Sequence, residues 1–176
     1  DAPEKLFVLD FAQFMPPTMI TRSMRDLNAF HAKHGEIVLK PLHGNAGAAV
    51  FRIGRDGANL RALAELFSDV WKEPFIAQGF LPAVLEGDKR IILVDLPATD
   101  YEAMLPELHL LAHFAHEAAR RFVRSKTPTR VPALTKRERE ICAALGPELK
   151  SRGLLFVGID VIGGLLTEIN VTSPTG

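Results

Sequence analysis

The sequence predicts an α+β fold, and three observations support this class. Of its 176 residues, 47% are apolar, which is enough for one sizeable core or two small lobes. Helical and strand periodicities both occur, and most predicted strands follow one another as neighbours. The tail, residues 154–171, alternates around Gly163-Gly164, which predicts a hairpin.

The first half of the chain alternates short strands with amphipathic helices. A helix over 4–14 is stopped by Pro16-Pro17, because proline has no amide hydrogen and restricts the residue before it. Ser23 can cap a helix over 24–34, and Gly35 can terminate it. The other predicted elements here are strands 18–21, 36–40, 48–53, 75–78 and 88–95 and a helix over 59–69.

Two longer helices are predicted in the second half. The first, over about 101–123, has leucine, alanine and phenylalanine residues along one face, so we expect it to pack against the body or a partner subunit. The second runs to about Lys150. Thr135 can cap its start, with Glu138 completing a capping box, and Gly153 ends it.

Charge and cysteine content restrict the class of protein. Lys and Arg number 21, as do Asp and Glu, so no net field draws the surface toward nucleic acid or an anionic membrane. The single cysteine, Cys142, excludes an internal disulfide and fits a reducing compartment, which predicts a cytoplasmic protein. No leader sequence is evident, and Asp160 and several glycines interrupt the longest apolar stretch, so no membrane span is expected. Both ends look cut from a longer chain.

A glycine-bearing turn between two predicted strands is the first candidate site. It contains Gly44, Asn45 and Gly47, and it leads into a strand, whereas a Walker loop or a dinucleotide-binding loop leads into a helix. Glycines let backbone amides approach an anion, and Lys40 precedes the turn. These residues fit a flap over phosphates. They also fit an ordinary hairpin with an exposed lysine.

The tail contains the sharper candidate, a set of oxygen ligands of the kind magnesium prefers: Asp160, Glu168 and Asn170. Glu168 and Asn170 share a strand face. A two-residue turn would set Asp160 opposite Thr167, on the other face, so a shared cation requires an odd-length loop or a bulge. An acidic, solvent-facing strand is the alternative. The apolar residues around Asp160 argue against it, because an unpaired buried carboxylate is costly.

Two further segments suit nucleotide or substrate binding. Around Gln78 to Leu81 a buried strand leads into an opened backbone that could bind a base edge, although an edge strand ended by proline fits equally well. Lys89 and Arg90 must point to opposite faces of their strand. Arg90 could hold a carboxylate or phosphate as a planar fork, whereas a surface ion pair with Asp88 or Glu86 is the simpler interpretation.

Three histidines also suggest a metal site. His109, His113 and His116 lie within about 60 degrees of one another on the predicted helix. They flank its apolar face, where solvated polar residues are expected, so we favour a solvent-facing role over a metal site.

Several stretches together resemble, in order and spacing, the bacterial glutathione synthetases, a family of ATP-grasp ligases. The resemblance covers residues 4–95 and about 134–176, and the closing Thr-Glu-Ile-Asn-Val-Thr-Ser-Pro-Thr is its most specific part. The stretches are Glu4–Phe7, Ile37–Leu42, the loop through Gly47, Ala77-Gln78, Gly87–Arg90, Phe156–Asp160 and Leu166–Thr175.

The resemblance implies two α+β lobes with ATP between them. The smaller would span about 18–81 with the flap, and the larger about 82–176 together with 1–15. It further implies Mg²⁺ or Mn²⁺ at the acidic cluster and catalytic roles for Lys40 and Arg90. The implied nucleotide-binding residues are Lys5, Lys40, Gly44, Asn45, Gly47, Gln78, Gly79, Phe80, Leu81 and Asp88.

The resemblance also implies a reaction and an assembly. In this family ATP phosphorylates γ-glutamylcysteine, glycine then attacks the acylphosphate, and the enzyme is a homotetramer. Two features depart from the family: an amino-terminal domain is missing, and residues 96–133 are helical in character where a mobile loop is expected. The alternatives are therefore a non-catalytic module that binds ATP and magnesium, or another ATP-grasp carboxylate-amine ligase.

Overall fold

The computed structural model describes residues 4–42, 49–72, 74–95 and 133–171. The α-helices are α1 (Glu4–Phe7), α2 (Met24–His34), α3 (Leu60–Leu66) and α4 (Lys136–Ser151). The strands are β1 (Thr18–Thr21), β2 (Ile37–Pro41), β3 (Phe51–Ile53), β4 (Phe75–Gly79), β5 (Lys89–Val94), β6 (Phe156–Ile162) and β7 (Leu165–Asn170). The predicted α+β class is confirmed. None of the helices described is long and apolar enough to cross a membrane.

The first sheet is antiparallel, with strand order β1-β4-β2-β3, so β4 is a central strand. Burial alternates along β2: Ile37 and Leu39 are fully buried, while Val38 and Lys40 are partly exposed on the opposite face. The buried face packs against α2 and α3. The core cluster on this side is Leu27, Ile37, Leu39, Ile53, Leu60, Ala64, Phe67, Phe75 and Ala77.

The second sheet is also antiparallel, with strand order β5-β6-β7. One of its faces packs against α4, and the segment after α1 packs beside β7. The second core contains Phe7, Val8, Phe11, Met15, Ile91, Ile141, Leu145, Leu149, Val157, Ile159, Val161, Leu166 and Ile169. Among the described residues, α2 and α3 thus cover one face of the first sheet, and α4 covers one face of the second.

Two predicted helix starts are confirmed in detail. The Ser23 hydroxyl accepts a hydrogen bond from the Asp26 amide at 3.2 Å, which caps α2. Thr135 and Glu138 form the capping box of α4, because each side chain accepts a hydrogen bond from the other's backbone amide.

Other boundaries differ from the sequence prediction. The single helix predicted over 4–14 is α1 followed by a 3₁₀ segment, Val8–Phe14, with a kink at Phe11 that buries its ring. The helix predicted over 59–69 is α3 followed by a π-helical turn, Phe67–Trp71. The helix predicted over 101–123, with its three histidines, lies outside the described residues.

Candidate active site

The sheet faces that lie opposite the described helices border a narrow cleft between the two sheets. Lys40 and Gln78 enter it from the first sheet, and Thr167 and Glu168 enter it from the second. Val8, Met15, Thr18 and Ile76 complete its lining. Lys40 therefore shares a cleft with Glu168, one of the three predicted metal ligands, as the phosphate-flap interpretation requires.

A row of charged residues crosses the second sheet on the face opposite α4. Arg90 on β5 pairs in register with Asp160 on β6, and Asp160 pairs with Glu168 on β7. Directly paired residues of antiparallel strands point to the same face. Asn170 joins the row diagonally, since its amide nitrogen donates to Asp160 Oδ2 at 3.2 Å.

A bulge in β7 creates this arrangement. The turn at Gly163-Gly164 has two residues, and Val161 pairs with Leu166, yet Asp160 pairs with Glu168. Thr167 is the extra residue. The bulge brings Asp160 to the face of Glu168 and Asn170, so the alternative that sets Asp160 on the other face is wrong.

Arg90 and Asp160 form a two-point ion pair within this row. Arg90 donates two hydrogen bonds of 2.7 Å, one to each carboxylate oxygen. The side chain of Asp160 is only 11% exposed, and that of Arg90 is 31% exposed. The hydrogen bond with Asp160 raises the pKa of Arg90 above its usual value. Arg90 is thus a fixed cation with a planar fork beside the cleft.

Arg90 and Lys89 point to opposite faces, as predicted. Lys89 Nζ lies 2.8 Å from an oxygen of Glu138 at the start of α4, so it ties β5 to that helix. The ion pair predicted between Arg90 and Asp88 or Glu86 is not the one observed, because Arg90 pairs with Asp160 instead. Asp88 is exposed in the loop before β5, where its charge still acts on Arg90.

The segment after β4 corrects two expectations. The Gly79 amide donates to the Pro17 carbonyl at 2.8 Å and the Phe80 amide to the Glu36 carbonyl at 3.0 Å, so neither amide is open to a base edge. The edge-strand alternative is also wrong, since β4 is central. Within the described parts of the chain, the Leu81 amide makes no backbone hydrogen bond, which leaves it as the candidate donor.

Of the remaining residues predicted to bind nucleotide, the structure describes some and not others. Gln78 is buried and donates a hydrogen bond from Nε2 to the Thr18 hydroxyl at 3.0 Å, within the cleft lining. Gly44, Asn45, Gly47 and the side chain of Lys5 lie outside the described residues.

The acidic cluster offers donors suited to a hard cation. Two carboxylates and an amide oxygen share one face, which matches the oxygen preference of Mg²⁺. No group of three or more His, Cys, Asp or Glu side chains could hold a metal within the ranges that the structure describes. Asn170 and the ligand's own oxygens would therefore have to complete the coordination, and Asp160 would be shared with Arg90.

Sequence patterns left some of these contacts unassigned. Arg52 on β3 lies with its guanidinium carbon 4.0 Å from the centroid of the Phe80 ring, and its Nε donates to Glu36 at 3.0 Å. This contact braces the end of β4. Thr167 was not singled out either. The spacing of Leu166 and Ile169, both fully buried but three residues apart on a strand, is the signal that could have revealed the bulge.

Comparisons with known proteins agree with this architecture. Residues 4–176 match the family described as prokaryotic glutathione synthetase, ATP-grasp domain. The chain belongs to this family. A glutathione synthetase of Rhodopseudomonas palustris is 51% identical over 100% of the chain and 54% of its own length. One of Shewanella oneidensis is 42% identical over 99% of the chain and 53% of its own length.

Solved structures confirm the ATP-grasp fold. The D-cycloserine synthetase DcsG has a TM-score of 0.66 at 16% identity, covering 99% of this chain and 63% of that one. The D-alanyl-alanine synthetase A of Vibrio cholerae has a TM-score of 0.56 at 10% identity, covering 95% and 53%. The chain spans about half the length of the curated relatives it matches.

Proposed function

We propose that this chain forms the ATP-binding and catalytic part of a glutathione synthetase, which joins γ-glutamylcysteine to glycine. The carrying observation is the shared cleft: Lys40 enters from one sheet and Glu168 from the other. A phosphate held between a lysine and a metal ion needs both groups on one cleft. The family to which the chain belongs supplies the substrate class.

The nucleotide would lie along this cleft. Lys40, Lys5, Asp88 and the loop with Gly44, Asn45 and Gly47 are assigned to its phosphates. The segment Gln78, Gly79, Phe80 and Leu81 is assigned to adenine, with the Leu81 amide as the hydrogen-bond donor. Mg²⁺ or Mn²⁺ bound by Asp160, Glu168 and Asn170 would offset the negative charge of the phosphates.

The proposed reaction has two steps. A carboxylate oxygen of γ-glutamylcysteine forms a bond to the γ-phosphorus of ATP as the bond to ADP breaks. The glycine amine then attacks the acyl carbon, a proton leaves the nitrogen, and inorganic phosphate departs with the electrons of the C–O bond. Arg90, held in place by Asp160, would bind the transferred phosphoryl group or the substrate through the guanidinium N–H groups that the two bonds to Asp160 leave available.

The cellular setting follows from composition and family. We expect a cytoplasmic homotetramer that contacts neither nucleic acid nor a membrane, because the formal charge is balanced and the one cysteine suits a reducing compartment. Analytical ultracentrifugation would test the assembly.

The decisive experiment measures nucleotide binding and turnover separately. Calorimetry should show Mg²⁺-dependent ATP binding by the purified chain, and Glu168→Gln should weaken it. Glu65→Gln, at an exposed position of α3, is the control and should not. Absence of Mg²⁺-dependent ATP binding would contradict the proposal. The chain alone should make little or no glutathione, because a water-exposed acylphosphate hydrolyses before glycine attacks it and the relatives are about twice as long. ADP release and glutathione should be assayed side by side.

A chimera carrying the remaining part of the Rhodopseudomonas palustris relative should make glutathione. Nucleotide binding by the chimera without ADP release in the presence of both substrates would instead identify a non-catalytic module. ADP release only with another carboxylate or amine would identify a different ligase. Robust glutathione formation by the 176-residue chain alone would show that neither the rest of the relatives' length nor the expected loop is required.

A further inference from the structure

We propose that Thr167 is a positioning residue for the proposed cation site formed by Asp160, Glu168 and Asn170. Its side-chain hydroxyl donates a hydrogen bond of 3.1 Å to the backbone carbonyl of Asp160. Through this bond it holds the bulge that sets Asp160 beside Glu168. The inference rests on the proposed function, since it assumes that these carboxylates bind Mg²⁺ or Mn²⁺.

The register shows what the bulge accomplishes. The two-residue turn pairs Ile162 with Leu165 and Val161 with Leu166. Regular continuation would pair Asp160 with Thr167, and would turn Glu168 toward the apolar core. One extra residue in β7 reverses this, because a shift of one position moves every later side chain to the opposite face.

At the bulge, the buried apolar side chains and the Thr167 hydroxyl stabilise different features of the backbone. Leu166 and Ile169 are both fully buried, so hydrophobic burial fixes which side chains face the core. That pattern does not fix the carbonyl of Asp160, which faces two residues of β7 where the ladder is interrupted. Asp160 is 8% exposed and Thr167 is 9% exposed, so water has little access to this carbonyl.

Removing the hydroxyl should therefore loosen the backbone at Asp160 without unfolding the hairpin. Valine has nearly the shape of threonine and keeps the apolar contacts, but it has no donor for the buried carbonyl. Thr167 and Glu168 also line the cleft together. Metal ligands must stay within about 0.5 Å of their binding geometry, so a displacement of Asp160 should weaken the affinity for the cation.

The test measures the Kd of Mn²⁺ for the chain in the presence of ADP, with electron paramagnetic resonance reporting the free and bound ion. Thr167→Val should weaken Mn²⁺ binding roughly tenfold, whereas Thr167→Ser, which keeps the donor, should stay within about twofold of the wild type. Thr21→Val is the matched control, since Thr21 lies on β1 of the other sheet. It should leave Mn²⁺ binding unchanged. Amide hydrogen exchange should accelerate at Asp160 in Thr167→Val and not in Thr167→Ser.

Two carboxylate variants distinguish a failure of the Thr167 role from a failure of the cation assignment. If Asp160→Asn and Glu168→Gln abolish Mn²⁺ binding while Thr167→Val binds as tightly as the wild type, Thr167 has no positioning role and the cation assignment stands. If neither carboxylate variant affects Mn²⁺ binding, both the assignment and the inference fail. Should Thr167→Val not fold, Thr167→Ala replaces it, and unchanged Mn²⁺ binding by that variant would overturn the inference in the same way.

Discussion

Arg90 of β5 and Asp160 of the neighbouring strand β6 are directly paired, and two guanidinium nitrogens each lie 2.7 Å from a different carboxylate oxygen. The two partners are not equally buried: 11% of the Asp160 side chain is exposed, compared with 31% of that of Arg90. Removing one partner leaves the other charge unpaired, and the free-energy cost is larger when the remaining charge is more buried. The pair should therefore respond asymmetrically to mutation.

Arg90→Gln should lower the free energy of unfolding by about 2–3 kcal/mol, because it leaves the buried Asp160 carboxylate without its cation. Asp160→Asn should cost only about 1 kcal/mol, since Arg90 can turn toward solvent. Urea unfolding would measure both values. Arg61→Gln, which breaks an exposed pair with Glu65, is the control and should leave the free energy of unfolding nearly unchanged.

Magnesium should stabilise Arg90→Gln more than the wild type, because the ion would supply the missing positive charge at Asp160. The measurement is the rise in melting temperature on addition of millimolar Mg²⁺. Calcium-free and chelator-treated samples provide the baseline. Equal shifts for both proteins would show that the cation does not reach Asp160.

Glu138 should make stability depend on acid pH. Burial by itself raises the pKa of Glu138, but hydrogen bonds from Lys89 and the Thr135 amide outweigh it, and the pKa lies below its ordinary value. The stabilisation is therefore complete above the unfolded pKa of about 4.3, and is lost as the pH falls through the lower folded value. Glu138→Gln should cost about 2 kcal/mol at pH 7, and this difference should narrow below about pH 4.

Unfolding of the wild type and Glu138→Gln at several pH values would measure that difference. Glu140→Gln, at an exposed position of the same helix, is the control and should leave the free energy of unfolding at pH 7 nearly unchanged. A gap between Glu138→Gln and the wild type that stays constant down to pH 3 would contradict the assignment of the titration to Glu138.

Local chemistry explains what the sequence predicted well. Ser23 and the Thr135–Glu138 capping box mark helix starts because their partners lie three residues away. Alternation along β2 likewise identifies its core face. Such signals depend on neighbours in the chain, so they are visible without knowledge of the fold.

Contacts between distant segments were harder to predict. The partner of Arg90 is Asp160, 70 positions away, and a sequence offers Asp88 and Glu86 as nearer candidates. The amides of Gly79 and Phe80 are occupied by Pro17 and Glu36, which depends on the order of strands in the sheet. For the acidic cluster the sequence narrowed the answer to an odd-length loop or a bulge, and only the register distinguished them.

Gly163 should tolerate a side chain less well than Gly153. Both have positive φ values, +57° and +70°, at which alanine costs roughly 1 kcal/mol. A Cβ at Gly163 would also lie 2.9 Å from the Cβ of Ala83 in the 3₁₀ segment Pro82–Glu86, whereas no atom of the described residues lies within 4 Å of a Cβ at Gly153. Gly163→Ala should thus cost about 1–2 kcal/mol more than Gly153→Ala.

Denaturant unfolding of both variants would measure the difference. Combining Gly163→Ala with Ala83→Gly removes the opposing methyl group, so the double variant should recover most of the excess cost. If Ala83→Gly gives no recovery, the excess does not come from this contact.

Lys40 should contribute nucleotide affinity through a single charge. It enters the cleft from β2 beside Gln78, facing Glu168 of the other sheet, so Lys40→Gln should remove a charge-assisted contact to phosphate. Such contacts are worth about 1.5–3 kcal/mol, which corresponds to a roughly 10- to 100-fold weaker Kd for ATP with Mg²⁺. Lys40→Arg should recover affinity only partly, because a planar fork does not reproduce a compact ammonium group in a narrow cleft.

Calorimetry with ATP, and with adenosine for comparison, separates the phosphate contribution from that of the base. The loss for Lys40→Gln should appear with ATP and be absent with adenosine, which has no phosphates for the lysine to contact. Lys33→Gln, at an exposed position of α2, is the matched control and should bind both ligands as the wild type does. An equal loss of ATP and adenosine affinity would show that Lys40 supports the shape of the cleft rather than the phosphates, and the flap assignment would then be wrong.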